Sequence, residues 1–144
     1  DLRMSRGLGD VYKRQVIFRA DGGVKNPAIY HAESGEFTKV GYTDNDFTMS
    51  SGQYVIINTY TGKKNVYLLD GVTQAEIENH KDNYGVIDWD EVIEKYGTVI
   101  NEYLDEDGDF IQLQDGTNTL TYSAEEGTNY LSVSVYYRIS YLGV

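Results

Sequence analysis

Nucleophilic catalysis needs a serine, threonine or cysteine activated by a base that is itself held in place, and this sequence offers few bases. Its two histidines are His31, beside Tyr30 in a strand-like stretch, and His80, among Glu78, Lys81 and Asp82 in a polar helical stretch. Neither lies in a recognisable motif, so both read as solvated or core-edge side chains. No phosphate-cradling glycine loop is present. The chain has no cysteine, which removes disulfide frameworks and cysteine-ligated zinc. Carboxylates are the richer resource: Asp105-Glu106-Asp107-Gly108-Asp109 spaces hard oxygens by two residues, as calcium loops do. An EF-hand would next require glycine where Phe110 stands and a bidentate glutamate where Gly116 stands. The run therefore reads as a solvated turn leading into a strand. Two carboxylates about 5 or 7 Å apart would suit glycoside hydrolysis, but nothing in the spacing singles out a pair. The expectation is a non-enzyme, with no catalytic residue, no metal ligand and no cofactor.

Aromatic contact is the other chemistry on offer. Fourteen tyrosines in 144 residues supply rigid amphipathic rings of the kind favoured at interfaces and sugar-stacking platforms. Strand propensity accounts for tyrosine equally well, and Tyr30, Tyr130, Tyr136 and Tyr141 fit core or contact alike. A net charge of -11, from 23 acidic against 12 basic side chains, argues against nucleic acid as a partner, because duplex binding needs clustered Lys and Arg. No stretch approaches the roughly 20 apolar residues of a membrane span, and nothing near the start reads as a secretory signal.

The elements that would carry these side chains are mostly strands. Asn26-Pro27 places a strand start at Pro27 or on a sheet edge, since proline lacks the ladder amide. Gly35 reads as a turn before a strand over 36–42. Residues 53–60, QYVIINTY, carry apolar side chains on both faces, as a covered central strand does. A turn at 61–63 leads to a strand over 65–69. The period then changes. Thr73 with Glu76 forms one capping-box signature, for a short helix ending near Asn83. Asp88 with Glu91 forms another, followed by a Trp89, Val92, Ile93, Tyr96 stripe that Gly97 ends. Residues 98–104 either prolong that stripe or begin a strand. Strands return at 110–114, 117–124 and 129–142, with turns at Asp115-Gly116 and Glu126-Gly127. In the last strand Leu131, Val133, Val135, Tyr137, Ile139 and Tyr141 alternate with polar neighbours, predicting one buried and one wet face. Roughly seven short strands with regular turns predict a mainly β, antiparallel β-sandwich with a short helical insertion over about 72–100.

Residues 1–15, DLRMSRGLGDVYKRQ, resemble the reading-frame translation of a tagmentation sequencing adapter, with DVYKRQ matching the transposon end. They are expected to be an artefact and are set aside from the fold. That leaves 8 basic against 21 acidic side chains, a net charge of -13. The expected organisation is then a linker or the end of a missing N-terminal domain over 16–24, and a C-terminal sandwich domain over 25–144.

Several motifs bear, in order, on one family. They are Asn26-Pro27-Ala28-Ile29-Tyr30, Ser34-Gly35-Glu36-Phe37, residues 54–59 with 65–68, and the stretch from Tyr103-Leu104-Asp105 to Phe110. Leu113-Gln114-Asp115-Gly116-Thr117-Asn118-Thr119-Leu120 and the terminal Tyr136-Tyr137-Arg138-Ile139-Ser140-Tyr141-Leu142-Gly143-Val144 complete the set. Together they resemble the C-terminal domain of distal tail proteins of long-tailed, non-contractile (siphovirus-type) bacteriophages. The hairpin motif has its own logic: Gly116 frees the turn, Asn118 ties it through its amide, and Leu113 and Leu120 face the core. The resemblance implies a galectin-like, jelly-roll type of sandwich in a structural component of the virion, placed at the tail tip and assembled in the bacterial cytoplasm. It implies partners that are ring-forming copies of itself, a receptor-binding protein and, in some members, host-surface polysaccharide. The 72–100 insertion departs from relatives, which often have a short connection there. The alternative is a carbohydrate-binding module of a secreted or surface protein, with a tyrosine or Trp89 exposed in a shallow groove.

Overall fold

The computed structural model describes residues 2–6, 10–59, 64–111 and 116–140. The expected 61–63 turn, Leu113 and the rest of 112–115, and Tyr141 with the terminal 142–144 lie outside the described residues.

The chain forms an antiparallel β-sandwich with a short helical insertion. One sheet has the order β1 (Leu2–Arg6), β10 (Gly116–Ser123), β4 (Ala28–His31) and β5 (Phe37–Lys39). The second runs β11 (Leu131–Ser140), β2 (Asp10–Ala20), β7 (Tyr54–Asn58), β8 (Asn65–Leu69) and β9 (Thr98–Val99). A ribbon of β3 (Val24–Lys25) and β6 (Thr48–Met49) closes one end. Helices α1 (Gln74–Glu78) and α2 (Trp89–Tyr96) lie between β8 and β9 in the chain.

Burial explains why the five-stranded sheet reads as continuous apolar runs. In β7 all five residues are buried. Val55 and Ile57 face the inter-sheet core beside Val16 and Phe18 of β2, Val66 of β8, and Ile29 and Leu120 of the opposite sheet. Tyr54 and Ile56 face the other way and meet Ile17, Leu69, Ile77, Trp89, Val92 and Ile93. The register Phe18↔Val55 and Val16↔Ile57 keeps each layer's side chains on one face. A sheet apolar on both faces must be covered on both, and the insertion covers the outer one.

The insertion forms where its caps predict. Thr73 accepts from the Glu76 amide and Asp88 from the Glu91 amide, each satisfying an orphan N–H of the first turn. Helix α1 stops at Glu78, short of the expected Asn83. Helix α2 buries Trp89, Val92 and Ile93, and Gly97 closes it in an extended conformation. After Gly97 the chain turns into the two-residue β9 and a single 3-10 turn, Asn101–Tyr103, which settles the open choice over 98–104. The strand expected over 110–114 is not formed at Phe110 and Ile111; these residues instead lie against the core, where Ile111 is buried. β11 keeps its alternation: Leu131, Val133 and Val135 face the inter-sheet core, while Ser132 and Ser134 are exposed. Its outer face is not wholly wet, because Tyr136 packs on Trp89.

Two expected boundaries move. The sandwich does not begin at residue 25, because Val16, Ile17, Phe18 and Ala20 are fully built into β2, each at most 4% exposed. A linker would leave these side chains in water; here they supply core to both faces of the central sheet. The stretch 1–15 that sequence reading sets aside from the fold is also paired: Leu2–Arg6 runs antiparallel to β10, and residues 10–15 run along β11.

Phe18→Ala, which truncates a fully buried side chain between the sheets, should lower unfolding free energy by about 3–5 kcal/mol. Tyr84→Ala, at a position 87% exposed, should change it by less than about 0.5 kcal/mol. Urea unfolding of both variants checks the contrast, and equal losses would contradict the layer assignment.

Candidate functional site

His31 ends β4 and is completely built in. Its Nε2 lies 2.8 Å from Asn118 Oδ1 and its Nδ1 lies 2.7 Å from Ser34 Oγ. The Asn118 amide nitrogen donates to Gly116 O at 3.3 Å, which turns Oδ1 toward the ring and makes Nε2 the donor. Nδ1 then accepts, and the Ser34 amide at 3.3 Å donates to it. Asn118 thus holds Gly116 (φ 84°) through its amide, as expected of it, and also anchors the histidine. His31 is 1% exposed, a core residue rather than a core-edge one. The Ser34–His31 distance resembles that of a nucleophile and its base. The Ser34 hydroxyl also accepts the Glu36 amide at 3.1 Å, and the Glu33 carboxylate sits 3.6 Å from Nε2, the ring nitrogen away from Ser34.

Glu33 itself accepts the Thr119 amide at 2.7 Å. That backbone hydrogen bond holds its carboxyl below the ordinary glutamate range, with nearby His31 acting in the same direction and burial opposing.

His80 does not lie in a helix; it follows α1 in the loop. Its Nδ1 is 3.4 Å from Glu91, and its ring stands edge-on to Tyr96 with centroids 5.8 Å apart. The acidic run is sewn to β5. Asp105 N donates to Lys39 O and Asp109 N to Phe37 O, while the Asp105 carboxylate accepts the Asp107 amide and that of Asp109 accepts Phe110 N. The Thr38 hydroxyl donates to Asp109 O. Among the described residues, no three His, Asp or Glu side chains gather in a metal-binding arrangement.

A polar node that sequence reasoning missed lies at the β3–β6 ribbon. Asn26 is 1% exposed and adopts φ 52°, a left-handed conformation that asparagine tolerates. Its amide nitrogen donates to Asp46 at 2.9 Å and Glu125 at 2.7 Å, and its oxygen accepts the Phe47 amide. Lys25 Nζ lies 3.7 to 3.9 Å from Asp46, Glu125 and Glu126. The Asn-Pro pair was legible only as a strand start; its partners are up to 99 residues away.

The aromatic residues separate. Tyr30 is 39% and Tyr130 47% exposed, and Tyr30 stacks loosely on Phe37 at 6.0 Å. Tyr136 packs on Trp89 at 5.7 Å, and Tyr54 lies 6.4 Å from the same indole. Trp89 is 5% exposed, so of the rings the alternative reading would place in a shallow groove, a tyrosine or Trp89, Trp89 is not at the surface. Its place is set by the Asp88 cap, which fixes the turn that drives the indole under α2. The cluster lines a cleft of about 240 Å³ between the insertion and the outer face of the five-stranded sheet. The tip of the insertion is a closed turn: Asp82 accepts the Tyr84 and Val86 amides and presents both side chains to solvent.

Compared with known proteins, the chain matches no family model, no curated protein and no solved structure.

A lowered folded-state value for Glu33 contributes stability that is present above the ordinary glutamate range and is lost as pH falls through the folded value. Glu33→Gln should therefore flatten the acid limb of the stability profile. Unfolding midpoints followed from about pH 6 down to about pH 2 check it; an unchanged acid limb would contradict the Thr119–Glu33 contact.

Proposed function

We propose that this chain is a non-enzymatic structural domain of a phage tail tip, peripheral to a ring of like subunits and acting by contact. The observation that carries the reading is that the motifs resembling the distal tail protein domain fall on the strands and turns of an antiparallel sandwich. The Ala28-Ile29-Tyr30 stretch is β4, residues 54–58 and 65–69 are the paired β7 and β8, and Gly116, Asn118 and Leu120 open β10. In that setting the galectin-like character implied by the family is the architecture this reading expects.

The chemistry of the described residues agrees with contact rather than turnover. The histidines are tied down in hydrogen bonds or ring contacts, and the acidic run uses Asp105 and Asp109 to accept backbone amides. Exposed aromatic and apolar side chains sit at rims: Tyr84 and Val86 at the insertion tip, Val99 on the edge strand β9, and Tyr30 beside Phe37. Such a preformed surface, repeated around a ring, converts weak contacts into avidity. Its partners in this reading are other copies of itself and a receptor-binding protein, in the virion. No helix among the described residues is long and apolar enough to cross a membrane.

Sequencing the DNA that flanks this gene tests the reading. The expected result is a reading frame that extends upstream by about one more domain and lies among tail genes. A frame that begins near Val16, with no phage genes beside it, would contradict it.

A further inference from the structure

We propose that the open edge of β11 is a contact through which two copies of this chain pair, strand against strand and antiparallel, about a two-fold axis at Ser134. The pairing is independent of the tail-tip reading. A ring closes through head-to-tail contacts, whereas a strand paired with its own copy is isologous and stops at two. A solitary β11 would leave a ring subunit a ring subunit.

The strand itself carries the inference. β11 ends the order of the five-stranded sheet, with β2 on one side and, among the described residues, no strand on the other. Such an edge presents a row of free N–H and C=O groups, and proteins blunt it with short length, charge, proline or bulges. β11 has little of this protection. It runs for ten residues, where about five or six is usual. It contains no proline, and Leu131 to Tyr137 carries no charge in a chain with 23 acidic and 12 basic side chains. The Tyr130 carbonyl accepts the Asp21 amide, so the path along β2 starts one residue before β11. The register with β2 then holds until a shift after Arg138. A straight run from Tyr130 to Arg138 is therefore open to a partner strand.

The midpoint of that run is Ser134. An antiparallel copy centred there sets Ser134 against Ser134, Val133 against Val135 and Ser132 against Tyr136. Core-side residues meet core-side residues, and each five-stranded sheet continues into that of its copy. Charge selects a second copy as the occupant. With a net charge of -11, two copies repel wherever their carboxylates meet, and the uncharged stretch of β11 is where they do not. The same register sets Arg138, the one charged residue of the strand, opposite Tyr130. That position follows the turn at Glu125 and Glu126, which share Lys25 with Asp46. The strand's cation is thus brought to the partner's surplus of carboxylates. Tyr130, 47% exposed in the single chain, lies at the same junction and would be covered by it.

Sedimentation velocity on the full chain tests the pairing, and the expected result is a dimer with a Kd below about 100 µM. Ser134→Lys sets two like charges face to face across the axis, and Ser134→Asp does the same with the other sign. Each should weaken the dimer about fivefold or more. Ser134 is exposed, so the unfolding midpoints should stay in place. The lysine variant is the sharper arm: it lowers the net negative charge, and would strengthen a contact limited only by general repulsion. Mixing the two variants should restore a dimer made of one copy of each. Hydrogen exchange on the unsubstituted chain gives a second test if either variant does not fold. The amides of 131–136 that do not bond to β2 should exchange more slowly as protein concentration rises, while those of the opposite edge strand, β9, should not. A monomer at every concentration up to well above 100 µM, a dimer unmoved by both substitutions, variants that stay apart when mixed, or β11 exchange that ignores concentration would overturn the proposal.

Discussion

A sheet that is apolar on both faces cannot stand with one face in water, and the architecture follows from that constraint. β2 and β7 put Phe18, Val16, Val55 and Ile57 on one side and Ile17, Tyr54 and Ile56 on the other. Each buried side chain of this size contributes roughly 1.5–3 kcal/mol when removed from water, so an uncovered face would forfeit much of the stability of a domain this small. The second sheet covers the inner face. The insertion covers the outer one, and its helices are too short to stand alone; packing on β7 and β8 supplies what propensity does not.

Polar groups are arranged around that requirement. His31 and Asn118 join the end of β4 to the start of β10, its neighbour in the sheet, and Asn26 ties the closing ribbon to two loops. Each satisfies buried donors and acceptors where strands end, so that register is fixed without a regular ladder. The same covering of the outer face leaves a cleft wherever helix and sheet do not mesh. The aromatic cluster around Trp89 is therefore a consequence of how the insertion is roofed onto β7.

Local chemistry made much of this legible in the sequence. The double-sided apolar run at 54–58, the Asp88 cap with its Trp89, Val92, Ile93 stripe, the alternation beginning at Leu131 and the conformational freedom used by Gly116 are short-range signals. The fold realises each of them, although the strand expected at Phe110 and Ile111 is absent. What was not legible depends on distant partners. Residues 16–20 form a short apolar run, and only pairing with β7 and β11 reveals a central strand rather than a linker. His31 looked solvated or core-edge because its partner Asn118 is 87 residues away. Lys25 and Asn26 carry no hint of Asp46, Glu125 and Glu126. Trp89 was read as part of an apolar stripe, and the stripe fixes which face of α2 is apolar, but not what that face meets.

Amide hydrogen exchange under native conditions tests the two-sided burial most directly, since it resolves each strand's opening. The account predicts that the amides of β2 from Gln15 to Arg19 and those of β7 exchange slowest, at the rate of global unfolding. The amides of α2 should be protected nearly as long, because the helix is the sheet's outer cover. Fast exchange in β7, or early loss of α2 while β7 stays protected, would contradict the dependence of the central sheet on its roof.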